Sequence, residues 1–270
     1  MTEEIIIPYK GIKKKTVYHI SDSHLTEYDE YSDEAEKQKA LDNTQAWENV
    51  RRGFASAYGE TFGEYESRSA KELFIDQLDA VRSDGDAVIF TGDTIDYISG
   101  ANLRFAEREL AKIAIPFSIV CGNHEQAEKI PEGILFSQAK KPVCVTGLGD
   151  MRIIALDNSK RLVTAEQNEK LRRLLSNGTP AMIAMHVPIR TEGNYDRLTK
   201  SGEYFMLNYD GCPQSNVDFI GLLKEYRDNI ICVLAGHLHY KDVSDIAPGL
   251  TQYVVAQAIG GRMNKFVIGE

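Results

Sequence analysis

Polar clusters at the ends of apolar runs constrain this chain more than any other feature. Val17-Tyr18-His19-Ile20 runs into Asp22-Ser23-His24, and Ala87-Val88-Ile89-Phe90 into Gly92-Asp93-Thr94-Ile95-Asp96. Phe117-Ser118-Ile119-Val120 leads to Gly122-Asn123-His124-Glu125, the run Ala181 to Met185 to His186, and Ile230 to Leu234 to Gly236-His237-Leu238-His239. Each run reads as a buried strand that stops where the polar residues begin. Five of the six histidines lie just past such a run, and histidines scattered by chance have no reason to prefer strand exits.

Helical patterns separate the strands. Ser69 with Glu72 forms a capping box for a helix burying Leu73, Phe74, Leu78 and Val81. Leu103, Ala106, Leu110 and Ile113 share a second helix face, and Thr164 with Gln167 caps a third carrying Leu171, Leu174 and Leu175 that ends at Asn177-Gly178. Val217, Ile220 and Leu223 mark a last helix. Val143 to Val145 and Arg152 to Leu156 flank two glycines as a hairpin, and Tyr253 to Ala256 is one more strand. Residues 25 to 68 differ: an acidic, tyrosine-rich run, Glu27 to Glu34, precedes a helical pattern with Trp47, Val50, Phe54 and Tyr58 on one face, broken by Gly59 and Gly63. This stretch is either a helix with a solvated acidic face or a cap over the polar clusters. Residues 187 to 213 read as a long loop, the kind that carries function.

Strand side chains alternate, so Asp22 with His24, and His237 with His239, each present two donors to one region if strand geometry persists that far. Carboxylate and imidazole together suit Zn, Fe or Mn, and Asn adds a carbonyl oxygen, a mixture that favours transition metals over calcium. Asp157 and Asn158 have ligand chemistry but sit where a strand-end turn is the plainer reading. Arg190, Asn194, Arg197 and Lys200 are either phosphate contacts or ordinary surface polarity. His19, one position off the pattern, reads as a core or edge histidine.

The ordered set D-x-H, G-D-x-x-D, G-N-H-E, a lone His and G-H-x-H, from position 22 to 239, resembles the calcineurin-like metallophosphoesterase superfamily. The resemblance implies an α/β fold: a four-layer αββα sandwich of two mixed sheets flanked by helices, with the metal site at the strand ends. It implies one domain over residues 1–270, with a helical insertion at about 25–68 and an active-site loop at about 187–213. Carried over, one metal is held by Asp22, His24, Asp93 and His239, the other by Asp93, Asn123, His186 and His237, with Asp93 shared. The implied reaction is hydrolysis of a phosphomonoester or phosphodiester by in-line attack of a hydroxide bridging two ions, Mn, Fe or Zn. His124 then assists the leaving group, Asp96 orients His124 or holds the loop, and Glu125 caps or packs locally.

At 270 residues the chain is long enough for one large domain, and its 43% hydrophobic and 26% charged residues are ordinary for a globular protein. A net charge of −9 argues against a broad nucleic-acid footprint. Cys121, Cys144, Cys212 and Cys232 lack C-x-x-C spacing and read as free thiols. The apolar run at Ile5 to Ile7 is too short for a signal peptide, and nothing approaches the roughly 20 residues of a membrane span. A cytoplasmic hydrolase of a small phosphate ester, with no nucleic-acid or membrane partner, is therefore expected. A cyclic-nucleotide phosphodiesterase is the closest alternative because the first three motifs also resemble that branch. A nuclease or a non-catalytic scaffold of the same fold ranks lower, since acidity opposes the first and intact motifs oppose the second.

Overall fold

The computed structural model describes residues 1–58 and 67–270, apart from the side chains of Phe54, Ala55 and Tyr58. Its strands are β1 (Thr2–Ile7), β2 (Lys15–Ile20), β3 (Ala87–Phe90), β4 (Phe117–Ile119), β5 (Val143–Gly147), β6 (Arg152–Leu156), β7 (Ala181–Ala184), β8 (Ile230–Ala235), β9 (Asp242–Ala247), β10 (Leu250–Val254) and β11 (Met263–Ile268). They form two mixed sheets, ordered β1-β11-β2-β3-β4 and β5-β6-β7-β8-β10-β9. The helices are α1 (Glu34–Tyr58), α2 (Ala70–Asp84), α3 (Gly100–Leu110), α4 (Ala165–Leu175), α5 (Tyr195–Ser201) and α6 (Gln214–Glu225).

Alternation along the strands builds the layers. Tyr18, Ile20, Val88 and Phe90 face Phe74, Leu78 and Val81 of α2 and Phe105 of α3. Their neighbours Val17, Ala87 and Ile89 face the other way and meet Ile153, Ala155, Met182, Ala184, Cys232 and Leu234 of the second sheet. On the far side Ile154, Ile183 and Val233 pack on Leu171 and Leu175 of α4 and Phe219 and Leu223 of α6. The result is the expected αββα sandwich. Strands covered on both faces need apolar residues at every position, which is why the runs showed no polar alternation.

Register brings the strand exits together. β2, β3 and β4 are parallel, with Ile20 opposite Phe90 and Phe90 opposite Ile119. β7 and β8 are parallel, with Ala184 opposite Leu234. The polar segments therefore begin at one level on each sheet. Both capping boxes form, at Ser69–Glu72 and Thr164–Gln167, and β5 pairs with β6 as the expected hairpin.

Several elements differ from the sequence reading: strands β9 and β11 were not anticipated, and Ile113 lies beyond the end of α3. Edge strand β1, parallel to β11, carried no signal because its residue types do not follow its alternating exposure: Glu3 is half-buried and Ile6 exposed. In α6 the buried side chains are Asn216, Phe219, Leu222 and Leu223, while Val217 is exposed, so the inward face is rotated from the expected one. The segment after His186 contains α5 and a 3₁₀ turn at Glu203–Phe205 as well as loop. In α1, Val50 is exposed, and the Phe54 and Tyr58 side chains and the Gly59–Gly63 break lie outside the described residues. All four cysteines are free, Cys121 and Cys232 buried among them. No helix among the described residues is long and apolar enough to cross a membrane.

Candidate metal centre

The strand exits are tied to one another before any ligand is placed. The backbone N–H groups of Asp22, His24 and Leu25 donate to the carbonyls of Gly92, Asp93 and Thr94 at 3.0, 2.9 and 3.1 Å, extending the β2–β3 pairing past both strands. Glu125 secures the next exit. Its buried carboxylate accepts the backbone N–H groups of Asp93, Thr94, Ile95 and Gly122 at 2.9, 2.7, 3.1 and 2.6 Å. The residue expected only to cap locally thus joins the β3 and β4 loops.

Plain strand geometry does not persist to the ligands. Asp22, His24, Asp93, His237 and His239 all have positive φ, between 41° and 70°, and among the described non-glycine residues only Arg161 shares this conformation. Left-handed backbone is unfavourable for such residues and is held only where surrounding bonds over-determine it. Two glycines permit the close approach: a Cβ at Gly122 would collide with the Asp93 carboxylate, and one at Gly236 would lie 2.6 Å from Asp22 Oδ2.

The side chains converge in two groups, Asp22 with His24 and His239, and Asp93 with His186 and His237. In the first, His24 Nε2 lies 3.1 Å from His239 Nε2, and His239 Nε2 lies 3.5 Å from Asp22 Oδ1. In the second, His186 Nε2 lies 3.1 Å from His237 Nδ1 and 3.0 Å from Asn123 Oδ1. Asp93 stands between them: its Oδ2 is 3.3 Å from His186 Nε2 and 3.8 Å from His24 Nε2, while its Oδ1 accepts the His124 backbone N–H at 2.9 Å. Asn123 alone of the seven is exposed.

Second contacts fix which ring nitrogen faces inward. His186 Nδ1 donates to the Thr91 carbonyl at 2.7 Å, so Nε2 is the nitrogen that faces the centre. His237 Nε2 donates to the Tyr204 carbonyl at 2.8 Å, leaving Nδ1. Such backbone partners set tautomer and orientation in metal-binding histidines. Asn158 is no ligand. Its Oδ1 accepts the His186 and Val187 N–H groups, both at 2.9 Å, so the strand-end turn itself holds the His186 exit.

The electrostatics call for cations. Burial opposes ionisation of Asp93, yet His186, His24 and His124 hold its carboxyl well below the usual carboxylate range. Asp22 behaves alike: burial is outweighed by His239, and its pKa falls to about 2. Burial disfavours a charged His186, but Asp93 and Asp22 raise it to about 9, whereas burial and the neighbouring His186 push His237 down to about 4. Two buried anions are drawing a proton into a space lined by lone pairs. Two nitrogens bound about 2.1 Å from one ion sit about 3 to 3.4 Å apart, and the imidazole spacing of 3.1 Å in each group matches. The donor set therefore fits two ions of the Zn, Fe or Mn kind.

His124 lies beside these groups, a third of its side chain exposed. Its Nδ1 is 2.8 Å from Asp96 Oδ1, which leaves Nε2 for a substrate. Burial would lower its pKa, but the Asp96 hydrogen bond and the charges of Asp93 and Asp96 reverse this and raise it to about 9. His19 is a core residue as expected, fully buried with Nε2 2.8 Å from Thr91 Oγ1. Three of the four residues read as possible phosphate contacts have partners of their own. Asn194 is buried and bonded to Ile189, Asp242 and Ser244, Arg190 pairs with Asp210 at 3.1 Å, and Arg197 packs over Tyr240. Sequence reasoning left open whether α1 reaches the centre. Its Trp47 stacks on His24 with ring centroids 3.6 Å apart and planes 20° from parallel.

A family model described as calcineurin-like phosphoesterase matches residues 15–241. Among solved structures, a dimetal phosphatase from Danio rerio superimposes with a TM-score of 0.60 at 12% identity, covering 91% of this chain and 88% of that one. A 5'-nucleotidase from Candida albicans gives a TM-score of 0.43 at 12% identity, covering 96% of this chain and 47% of that one. At these identities the first likeness is one of fold, and the second adds no argument. No curated protein matches the chain.

Proposed function

Since the chain belongs to the calcineurin-like phosphoesterase family, we propose that it hydrolyses a small phosphate ester at a dinuclear metal centre. One ion would be held by Asp22, His24, His239 and Asp93, the other by Asp93, Asn123, His186 and His237. The observation that supports this most is Asp93 Oδ2, which faces the inward nitrogens of both groups, His186 at 3.3 Å and His24 at 3.8 Å. When bound, such a pair supplies Lewis acidity at the phosphoryl oxygens and an acidified water for in-line attack.

The chain's own residues supply the rest. Asn123 is the exposed member of the set, open to an arriving substrate oxygen. His124, charged at neutral pH, gives the Nε2 proton to the leaving oxygen as the P–O bond breaks, and Asp96 stabilises the imidazolium through Nδ1. Trp47 covers one side of His24 and restricts the approach of water and substrate from that side. A net charge of −9 opposes nucleic acid as the substrate.

The test is turnover after reconstitution with Mn, Fe or Zn. The reading expects metal-dependent hydrolysis of p-nitrophenyl phosphate or bis-p-nitrophenyl phosphate, with cyclic nucleotides as a separate arm of the panel. A folded, metal-loaded protein inert toward all three would contradict it.

A further inference from the structure

The polar face of α1 reaches into the site. Lys39, Asn43, Trp47 and Arg51 recur every four residues and so lie along one side of the helix. Lys39 Nζ lies 3.8 Å from the Tyr97 ring centroid, Trp47 stacks on His24, and buried Arg51 donates to the carbonyls of Arg68 and Ile259, each at 3.1 Å. Asn43 Nδ2 donates to Asp96 Oδ2 at 2.6 Å.

Two imidazoles stand within reach of that one carboxylate. Asp96 Oδ1 is 2.8 Å from His124 Nδ1 and 3.8 Å from His24 Nδ1. A modest rotation of the carboxylate would exchange one partner for the other, leaving His124 Nδ1 only the longer bond to the Asp96 carbonyl at 3.2 Å and binding the back of His24 instead. Asn43 opposes the rotation because it holds the second oxygen from outside the pair. A bond to a charged acceptor at this distance is among the stronger neutral-donor contacts.

We infer that Asn43 is a positioning residue: through Asp96 it keeps His124 aligned with the leaving-group oxygen. This rests on the phosphoesterase reading above. In the step concerned a water oxygen bonds to phosphorus and the bond to the leaving oxygen breaks. The electron pair stays on that oxygen together with the His124 Nε2 proton, and the proton shed by the water returns to His124 through solvent. A leaving group that is stable as an anion needs this proton little, and an alkoxide needs it greatly.

The experiment compares Asn43→Ala, Asn43→Leu and His124→Ala on p-nitrophenyl and alkyl phosphate esters, with metal content by elemental analysis. For both Asn43 variants the loss of kcat on the alkyl ester should exceed that on the p-nitrophenyl ester by about 10-fold, the scale of outer-shell substitutions. KM and metal content should stay near wild type, and His124→Ala should discriminate in the same direction and more strongly. Trp47 is the only tryptophan, so its emission reports whether α1 stays docked. Should the Ala variant shift that emission, the near-isosteric Leu variant, which removes the donor but not the volume, decides the matter. Equal losses on both esters in the docked Asn43 variants, with His124→Ala still discriminating, overturn the assignment of Asn43. No discrimination by His124→Ala overturns the reading of the site itself.

Discussion

The strand exits and helix α1 meet at the same centre but are held there by different physics. The exits grow out of strands buried on both faces, are cross-linked backbone to backbone, and keep five residues in left-handed conformations. Among the described residues, helix α1 contributes none to the three apolar clusters and is tied down by polar and aromatic side chains. Strained backbone needs an over-determined frame, so the candidate ligands belong on the first kind of element. A helix docked by a few side chains can be altered at little cost to the core, which makes it the natural place to tune positioning and substrate choice.

The largest effect that sharpens this contrast is expected at Asp93, which serves both groups. Asp93→Ala should abolish turnover and release metal, as read by elemental analysis, while the sheets keep their circular-dichroism signature. Next comes His124→Ala, which should lower kcat by about 10²- to 10⁴-fold, the usual contribution of a positioned acid, with metal content nearly intact. Equal metal loss in the two variants would make His124 a ligand and erase the distinction between them.

Glu125→Ala tests the frame itself. It leaves four buried N–H groups without their acceptor, and at about 1–3 kcal/mol for each unsatisfied group the loss should reach about 3 kcal/mol or more, measured as a lower denaturant midpoint. A change within about 0.5 kcal/mol, the range of ordinary surface substitutions, would mean that the loops are held by something else.

The smallest effect is a shift in pH. His124 is raised above its ordinary value, so its acid form is present at neutral pH and is lost as pH rises through about 9. Asp96→Asn removes the carboxylate that, with Asp93, raises it. The alkaline limb of the kcat profile should therefore move to lower pH, and a limb that stays put would show that Asp96 does not govern His124.

The same contrast explains what the sequence disclosed. Ligands at strand exits announce themselves because an unbroken apolar run must stop before polar residues can begin, and all seven expected ligands lie in one region. The roles of Glu125 and Asn158 were hidden because both act on backbone N–H groups, which no motif records. For α1, hydrophobic periodicity pointed to Trp47, Val50, Phe54 and Tyr58; Val50 is exposed and the Phe54 and Tyr58 side chains lie outside the described residues, while the described contacts at the centre come from Lys39, Asn43, Trp47 and Arg51. A face that buries polar groups against polar partners has no hydrophobic period to find. The rotation of α6 has a similar origin: buried Asn216 bonds Val163 N–H and the Arg161 and Leu207 carbonyls, while Val217 is left outside.

The most direct test of the central claim is a metal titration of the stripped protein, followed by equilibrium dialysis and by the emission of Trp47 stacked on His24. Two equivalents per chain should bind and perturb that emission, and Asp93→Ala should lose high-affinity binding of both. Fewer than one equivalent, or two that bind unchanged in Asp93→Ala, would contradict a centre built around that shared carboxylate.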